Sequence, residues 1–219
     1  PIGKPLGPMG ILFTGDDKQI SVFLKNNKIE KKIINLALVD ACIHNKFNII
    51  YILIDNGADV NCVIRNRTPL SVICFSNRYS VAKKLIEKYN ADVNFYTDVL
   101  NSPLSIACSK KFYDIAKLLL KNNANVNIKC KIPPIHAADY SESIIDLLIR
   151  YGVFIDELDS NGCTLLYNSC FRNNLNLIKK LIANGANINF AKNNYSILNV
   201  ACSNGNYDII KFLMNLNIN

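Results

Sequence analysis

The stretch Asn56-Gly57-Ala58-Asp59-Val60-Asn61 recurs along this chain. Related segments occur at Asn90–Asn94, Asn123–Asn127 and Gly185–Asn189. Neighbouring copies lie about 33 residues apart, and the last gap is about two periods with a small deletion. A fixed period in this range indicates stacked structural repeats rather than one globular core. Such a chain presents extended surface for contact, and a deep catalytic pocket is not expected.

The residues between two copies predict a pair of helices. Thr68 is a suitable N-cap, and Pro69 suits the first helical position because the amide it lacks would be unpaired there. Apolar residues at helical spacing follow, then a short break at 76–78 and a second amphipathic helix. Asn90 occupies the place of Gly57 and Gly185, where a left-handed residue ends the helix. Equivalent helix starts occur at 102–105, 133–136, 164–167 and 196–199.

The pattern divides the chain into a series of units. We expect six repeats, near residues 28–61, 62–94, 95–127, 128–156, 157–189 and 190–219. Before them, Thr14–Asp17 predicts a capping box that opens an N-terminal helix over 14–27. Residues 1–10 are rich in Pro and Gly and are interpreted as a cloning remnant or a flexible leader, so the repeat domain spans 11–219. Since no polar closing repeat follows the last copy, we expect the native chain to continue past Asn219.

The motifs resemble the ankyrin repeat. Asp159–Tyr167 matches the family's D-x-x-G-x-T-P-L-H pattern except at the Pro and His positions, and Pro134–Ala138 supplies its Pro-Leu-His-x-Ala element. The resemblance covers roughly residues 12–219 and implies an all-α solenoid of stacked antiparallel helix pairs with projecting β-hairpin loops. Asn/Ile/Lys-rich degenerate repeats are similar to those of poxvirus host-range proteins and of intracellular-pathogen effectors. His136 occupies the family's structural His position, although Pro133 replaces the Thr to which it would bond.

Two predicted units depart from the regular pattern. The segment 95–101 carries about two extra residues, which predicts a longer hairpin at the start of the third repeat. The fourth repeat is short by about four residues around 139–143, which predicts a tight loop between its helices. We expect a distinctive binding shape at these two units.

Composition restricts the environment and the class of partner. The formal charge of +8 and the sequence pI of about 9.0 favour acidic partners, although Lys-rich solvated faces alone would produce the same balance. Eight cysteines with no secretory signal predict free thiols in a reducing, cytoplasmic compartment, which would be the host cytoplasm for a viral or effector protein. No apolar run is long enough to cross a membrane.

The cysteines are expected to be packing residues or exposed thiols, not metal ligands. Cys42, Cys74, Cys108, Cys170 and Cys202 occupy the small inner-helix position that packs between repeats. Cys62, Cys130 and Cys163 lie on hairpins and are expected to be more exposed. Zinc ligands would require Cys pairs two to four residues apart, and none is present.

No pattern in the sequence indicates catalysis. There is no phosphate-binding Gly-rich loop, no H-E-x-x-H, no G-x-S-x-G and no kinase signature. Catalysis by His44 or His136 would need a nucleophile or carboxylate placed beside it by the fold, and the sequence offers no such constellation. We therefore expect no enzyme activity, no cofactor and no metal.

Function is expected on the contact surface, at hairpin tips and at the ends of first helices. The resemblance implies that partners dock there, and exposed aromatics and arginines are common interface anchors. The predicted partner-binding residues are Arg65, Arg67, Phe75, Tyr96, Lys129, Lys131, Tyr140, Phe171, Arg172, Lys192 and Tyr195. Sideways packing of Phe75 and Phe171 on a neighbouring helix is the structural alternative for these two residues.

The prediction is a monomeric, non-catalytic module that binds a partner protein, with cationic hairpins suited to an acidic segment of that partner. One alternative is nucleic-acid or anionic-lipid binding through the basic hairpins, although no specific nucleic acid is expected. Another is that the repeats are the regulatory arm of a longer enzyme or of a ubiquitin-ligase adaptor.

Overall fold

The computed structural model describes residues 10–97, 99 and 101–216. The chain divides into two compact units, residues 1–103 and 104–219. Both are built mainly from short helices that follow one another in pairs joined by short turns. Most of the predicted leader, residues 1–9, lies outside the described part of the chain.

Among its described residues, the first unit has six helices. They are α1 (Ile11–Thr14), α2 (Asp17–Asn26), α3 (Lys31–Ile43), α4 (Phe47–Asp55), α5 (Pro69–Phe75) and α6 (Tyr79–Glu87). Helix α3 packs against α4 and α5, while α2 packs against α4. Large aliphatic side chains such as Ile50 and Leu85 are completely buried between these helices.

The N-terminal helix begins later than the sequence indicated. Its N-cap is Asp16, whose carboxylate accepts from the Gln19 amide at 2.8 Å while the Gln19 side chain accepts from the Asp16 amide at 3.0 Å. The prediction of a box at Thr14–Asp17 is therefore wrong. Thr14 ends α1 instead, and its hydroxyl donates to the Gly10 carbonyl. Asp16 caps the helix in place of Thr14, because Gln19, three residues after Asp16, completes the reciprocal pair of capping hydrogen bonds.

In the part of the chain that the structure describes, the second unit has eight helices and one short hairpin, and the first of these helices starts at Pro103, the last residue of the first unit. The helices are α7 (Pro103–Ser109), α8 (Tyr113–Lys121), α9 (Pro134–Ala137), α10 (Glu142–Arg150), α11 (Leu165–Phe171), α12 (Leu175–Ala183), α13 (Ile197–Ser203) and α14 (Tyr207–Met214). Strands β1 (Ala191–Lys192) and β2 (Tyr195–Ser196) pair antiparallel before α13. Helix α11 packs against both α12 and α13.

The predicted helix starts and stops are present. Thr68 caps α5 by accepting from the Ser71 amide, with Pro69 as the first helical residue, and Thr164 caps α11 in the same way. Asn90 has a φ of +57° and Gly57 one of +96°, so both adopt the left-handed conformation that ends a helix.

The shortening of the fourth repeat falls in a helix and not in a loop. Helix α9 has four residues, whereas α11 has seven. The prediction of a tight loop is therefore wrong, since residues 138–141 still separate α9 from α10. Asp139 and Tyr140 have φ values of +42° and +60°, which most residues avoid.

Hairpin pairing is limited to two places in the described residues. Ile64 and Arg67 form a bridge closed by two backbone hydrogen bonds, and Lys192 pairs with Tyr195. In both, the two connecting residues have positive φ, as a type I′ turn requires. The predicted longer hairpin at 95–101 includes residues 98 and 100, which lie outside the described residues.

Four of the five inner-helix cysteines are in the core. Cys42, Cys74, Cys108 and Cys170 are completely buried, and burial raises the pKa of the Cys170 thiol to about 12. The fifth, Cys202, is exposed, which corrects the prediction, because no later inner helix in the described residues covers α13.

The hairpin cysteines are less accessible than the sequence suggested. Cys62 and Cys163 are 6% and 5% exposed, and only Cys130 is half-buried. The expectation of exposure is therefore wrong for Cys62 and Cys163. Burial, with a smaller contribution from the Asp59 carboxylate, raises the pKa of Cys62 to about 12.

Side-chain hydrogen bonds connect the loops of successive repeats within each unit. The Asn61 side chain accepts from the Asp92 amide at 2.8 Å, and Asn127 accepts from the Phe154 amide at 2.7 Å. Asp156 accepts from the Asn187 amide at 3.0 Å in the same manner. The last residue of the recurring segment thus bonds to the start of the next loop, which explains why an Asn or Asp suits that position.

Candidate functional site

An exposed groove in the second unit is lined by α9, α11 and the turn before α11. Its cavity volume is about 310 Å3, and three predicted site residues, Tyr140, Phe171 and Arg172, line it. We call it the Tyr140 groove; its other lining residues are His136, Asp139, Asp159, Asn161, Leu165 and Asn168. The fold therefore places side chains from two neighbouring repeats around one concavity.

Tyr140 and Arg172 contact each other across this groove. The Arg172 guanidinium carbon lies 4.7 Å from the centroid of the Tyr140 ring, a cation–π distance. Burial raises the pKa of the Tyr140 phenol, while the Arg172 guanidinium acts to lower it. A guanidinium stacked in this way is held in place, and its N–H groups can still donate to a carboxylate of a partner.

Phe171 is exposed on the same helix end. It is 53% exposed, and its ring meets the buried Tyr167 ring edge-on at 5.5 Å between centroids. Tyr167 is in turn supported by an edge contact with Phe190 at 5.6 Å. Phe171 therefore packs against the Tyr167 ring, but about half of its surface stays exposed. The alternative of sideways packing accounts for only the buried part of that surface.

The wall of the groove is a rigid turn organised by Asp159. One carboxylate oxygen accepts from the amides of Asn161 and Cys163, at 2.8 and 2.9 Å, and the other accepts from the Asn168 side chain at 2.8 Å. Burial of the carboxyl acts to raise its pKa, but these hydrogen bonds outweigh burial and lower the pKa of Asp159. The carboxylate is thus occupied structurally and is not available as a catalytic base.

His136 also has a structural role in this groove. Its Nε2 donates to the Glu157 carbonyl at 2.8 Å, which ties α9 to the loop of the next repeat. The hydrogen bond between His136 and Glu157 therefore helps to position the wall of the groove, on which Asn161 lies.

A second groove lies in the first unit, between α3 and the bridge at Ile64 and Arg67. Its cavity volume is about 180 Å3, and we call it the Arg65 groove. It is lined by Leu36, Val39, Asp40, Ile43, Ile64, Arg65 and Arg67. Two more of the predicted residues, Arg65 and Arg67, thus lie beside an apolar floor that the sequence did not indicate.

The remaining predicted residues are not gathered into these grooves. Phe75, Tyr96 and Tyr195 are 57%, 41% and 41% exposed, and Lys129 and Lys131 are exposed as well. Lys192 is half-buried, with its ammonium 3.5 Å from the Cys163 sulfur, so it is partly engaged within the chain.

Sequence reasoning missed the aliphatic floor of the Arg65 groove and the Asp159 turn. Leu36 and Ile43 lie seven residues apart on α3, a spacing that places them on one helix face. Leucine and isoleucine are usually buried, so the sequence gives no signal that these two side chains are 36% and 40% exposed. For Asp159, the Asp-x-x-Gly pattern was the available signal.

The described residues contain neither a metal-binding cluster nor a membrane-length helix. No group of three or more His, Cys, Asp or Glu side chains could hold a metal ion within this part of the chain. No helix described here is long and apolar enough to cross a bilayer.

Comparison with known proteins identifies the repeats. A family model described as ankyrin repeats (3 copies) matches residues 15–97, 38–130 and 135–219. The human ASB11 ankyrin repeat domain has a similar structure, with a TM-score of 0.69 and 26% identity over 83% of this chain and 84% of that one. These matches confirm the predicted fold class.

The curated relatives are distant and mostly much longer. An ankyrin repeat protein of Acanthamoeba polyphaga mimivirus is 26% identical over 89% of this chain and 46% of its own length. Alpha-latrocrustotoxin-Lt1a of Latrodectus tredecimguttatus is 32% identical over 39% of this chain and 6% of its length. An ankyrin repeat and KH domain-containing protein of Caenorhabditis briggsae is 27% identical over 67% of this chain and 6% of its length. The chain thus spans less than half the length of each of these relatives.

Proposed function

Since this chain belongs to the ankyrin-repeat family, we propose that it is a non-catalytic module that binds a partner protein. Ankyrin repeats generally mediate protein–protein interaction, and proteins built from them are typically not enzymes. The observation that carries the proposal is the Tyr140 groove, where Tyr140, Phe171 and Arg172 lie together and partly exposed.

The composition of this groove suits a protein ligand. Tyr, Phe and Arg supply much of the binding energy at protein interfaces, because they combine large area with few freely rotating bonds or with several donors. Arg172 is fixed by Tyr140, and Phe171 is supported by Tyr167. Such pre-organised groups lose little conformational entropy on binding, so a small number of anchors can suffice.

The backbone at Tyr140 supports the same interpretation. Asp139 and Tyr140 both have positive φ, a conformation that is unusual for bulky residues. Strained backbone is commonly retained at functional sites, where it presents a side chain in a required position. Tyr140 is the residue that this strain places over Arg172.

The test compares two double variants of the purified chain. Phe171→Ala/Arg172→Ala removes two anchors of the groove, and Arg150→Ala/Tyr207→Ala removes one Arg and one exposed aromatic elsewhere in the same unit. Partners would be identified by affinity capture and mass spectrometry, and their Kd measured by biolayer interferometry. We expect the first variant to weaken binding at least roughly thirtyfold, the loss typical of an interface anchor.

The control variant should bind within about twofold of the unmodified chain, because isolated surface positions contribute little to an interface elsewhere. Both variants must give the unmodified circular dichroism spectrum. Equal binding of every partner to the unmodified chain and to Phe171→Ala/Arg172→Ala would remove the Tyr140 groove as the interaction site.

The alternative of nucleic-acid or anionic-lipid binding has less support. Of the residues that motivate it, Lys192 is engaged with Cys163, and the exposed ones are Arg65, Arg67, Lys129, Lys131 and Tyr195. Such binding would weaken steeply as salt is raised, because each phosphate contact releases counterions. Titration of labelled DNA, RNA and acidic vesicles at two salt concentrations distinguishes it from protein binding.

We further propose a reducing, cytoplasmic environment and a monomeric state. All eight cysteines are free thiols, which is typical of reducing compartments. A host-directed adaptor is the most specific form of the proposed function, and the alternative is that the repeats are the regulatory arm of a longer enzyme or of a ubiquitin-ligase adaptor. The mimivirus relative supports a distant resemblance to a viral ankyrin repeat protein. Sequencing of the complete gene would test the alternative.

A further inference from the structure

We propose that the Arg65 groove binds an acidic segment of a partner protein, with an apolar side chain in the groove and flanking carboxylates on Arg65 and Arg67. The proposal rests on the proposed function, since it assumes that the partner is a protein. It concerns a different surface from the Tyr140 groove and names the chemistry of the bound segment.

The floor of the groove is aliphatic and accessible. Leu36 and Ile43 on α3 are 36% and 40% exposed, with Val39 buried between them, and Ile64 closes the opposite side. The cavity of about 180 Å3 is smaller than pockets for drug-sized ligands, which begin at roughly 300 Å3. It is therefore suited to one or two apolar side chains of a peptide.

The rim of the groove is cationic. Arg65 and Arg67 are both exposed, and none of the ion pairs in the described part of the chain involves either residue. Asp40 is the carboxylate among the lining residues, and the His44 imidazole lies 3.3 Å from it. Two arginines without a charged partner beside an aliphatic floor complement a segment in which acidic and apolar residues are neighbours.

The turn that presents the arginines gives an independent reason to assign them a role. Arg65 has a φ of +50° and Asn66 one of +58°, so both central positions are left-handed. Such turns prefer Asn, Asp or Gly, and a long charged side chain at the first position has no conformational advantage. Arginine here is consistent with a binding role, because folding alone would favour Asn.

A protein segment fits these observations better than nucleic acid does. Guanidinium groups would bind phosphate or carboxylate equally well, but a phosphodiester backbone offers no apolar side chain for Leu36 and Ile43. The apolar floor of the groove, and not its charge, therefore favours a protein segment over nucleic acid. Nucleic-acid binding becomes an outcome that the experiment can reveal.

The test is selection of a random twelve-residue peptide display library on the purified full chain at about 0.15 M salt, where distant charges are screened. We expect the selected peptides to be enriched in Asp or Glu beside Leu, Ile or Phe. The Kd of a selected peptide, measured by fluorescence anisotropy, should weaken at least tenfold in Arg65→Gln/Arg67→Gln. It should change less than twofold in Lys25→Gln/Lys28→Gln, which removes the same charge from two exposed positions outside the groove in the same unit.

Two further variants separate binding from folding. Arg65→Asn supplies a residue that the turn prefers, so it should keep or raise thermal stability while weakening the peptide. Ile43→Ser removes part of the exposed floor and should weaken the peptide without changing its dependence on salt. Together they test the charge and the apolar floor independently.

The proposal is overturned if no peptide is selected, if the selected peptides lack acidic residues, or if Arg65→Gln/Arg67→Gln binds as the unmodified chain does. Tighter binding of a labelled single-stranded oligonucleotide than of any peptide, lost in the same variant, would also overturn it. Loss of peptide binding only in Phe171→Ala/Arg172→Ala would leave the proposed function standing and reject this groove. Partner binding that fails in every assay would instead reject the proposed function.

Discussion

Replacement of Asp159 by Ala should destabilise the second unit by about 2–3 kcal/mol. The carboxylate accepts three hydrogen bonds, from the Asn161 and Cys163 amides and from the Asn168 side chain, at 2.8 to 2.9 Å. Hydrogen bonds to a charged group contribute roughly 1.5–3 kcal/mol each, but this carboxylate is half-exposed and solvent replaces part of the loss. We therefore take about 1 kcal/mol for each bond.

The assay is urea unfolding followed by circular dichroism, combined with amide hydrogen exchange. Exchange at Asn161 and Cys163 should accelerate by roughly 30- to 150-fold, which corresponds to 2–3 kcal/mol. Asp208→Ala serves as the control, since no ion pair or hydrogen bond of that exposed side chain is seen in the described residues. A loss below about 0.5 kcal/mol, or unchanged exchange at the two amides, would refute the reasoning.

The same carboxylate should make stability depend on pH in the acid range. Its folded pKa lies below the ordinary value of 3.8, so the stabilisation is fully present above that value. It is lost as the pH falls through the folded pKa, because the protonated carboxyl no longer accepts in the same way. Asp159→Asn should flatten this acid-side loss, and a slope equal to that of the unmodified chain would show that another group is responsible.

Three further predictions concern the turns and the thiols. Asn66→Gly should raise thermal stability slightly, by roughly 0.5 kcal/mol, because a type I′ turn prefers Gly at its second central position; a lower Tm would contradict this. Cys170→Ser should cost about 1–2 kcal/mol in urea unfolding, because a hydroxyl replaces a fully buried thiol, whereas Cys202→Ser should be neutral. Iodoacetamide should modify Cys202 first and Cys170 only after unfolding, as mass spectrometry of timed samples would show.

The sequence predicted local features well, because local chemistry determines them. Thr68 and Thr164 cap their helices as expected, and Asn90 ends one with a positive φ. These features depend on residues within one turn of each other. The cap at Asp16 was missed because two adjacent boxes competed, and the better one required recognising Gln19 as its partner.

The burial of loop residues could not be predicted from the local sequence. Cys163 is covered by the next hairpin, whose Lys192 reaches its sulfur, and this contact joins residues far apart in sequence. The Tyr140 groove has the same origin, since it combines a loop of one repeat with a helix end of the next. Tyr140, Phe171 and Arg172 were identified one by one, but their assembly required the fold.

The hydrogen bonds between successive loops have a consequence for how such a chain can vary. Asn127 bonds to the Phe154 amide before the short repeat ends, and Asp156 bonds to the Asn187 amide after it. Both bonds persist although α9 has only four residues. The hydrogen bonds between loops thus keep the spacing of the repeats constant along the second unit. Insertions or deletions in an inner helix change the shape of the surface between these loops. Selection could therefore reshape the binding face of one repeat without disturbing the register of its neighbours.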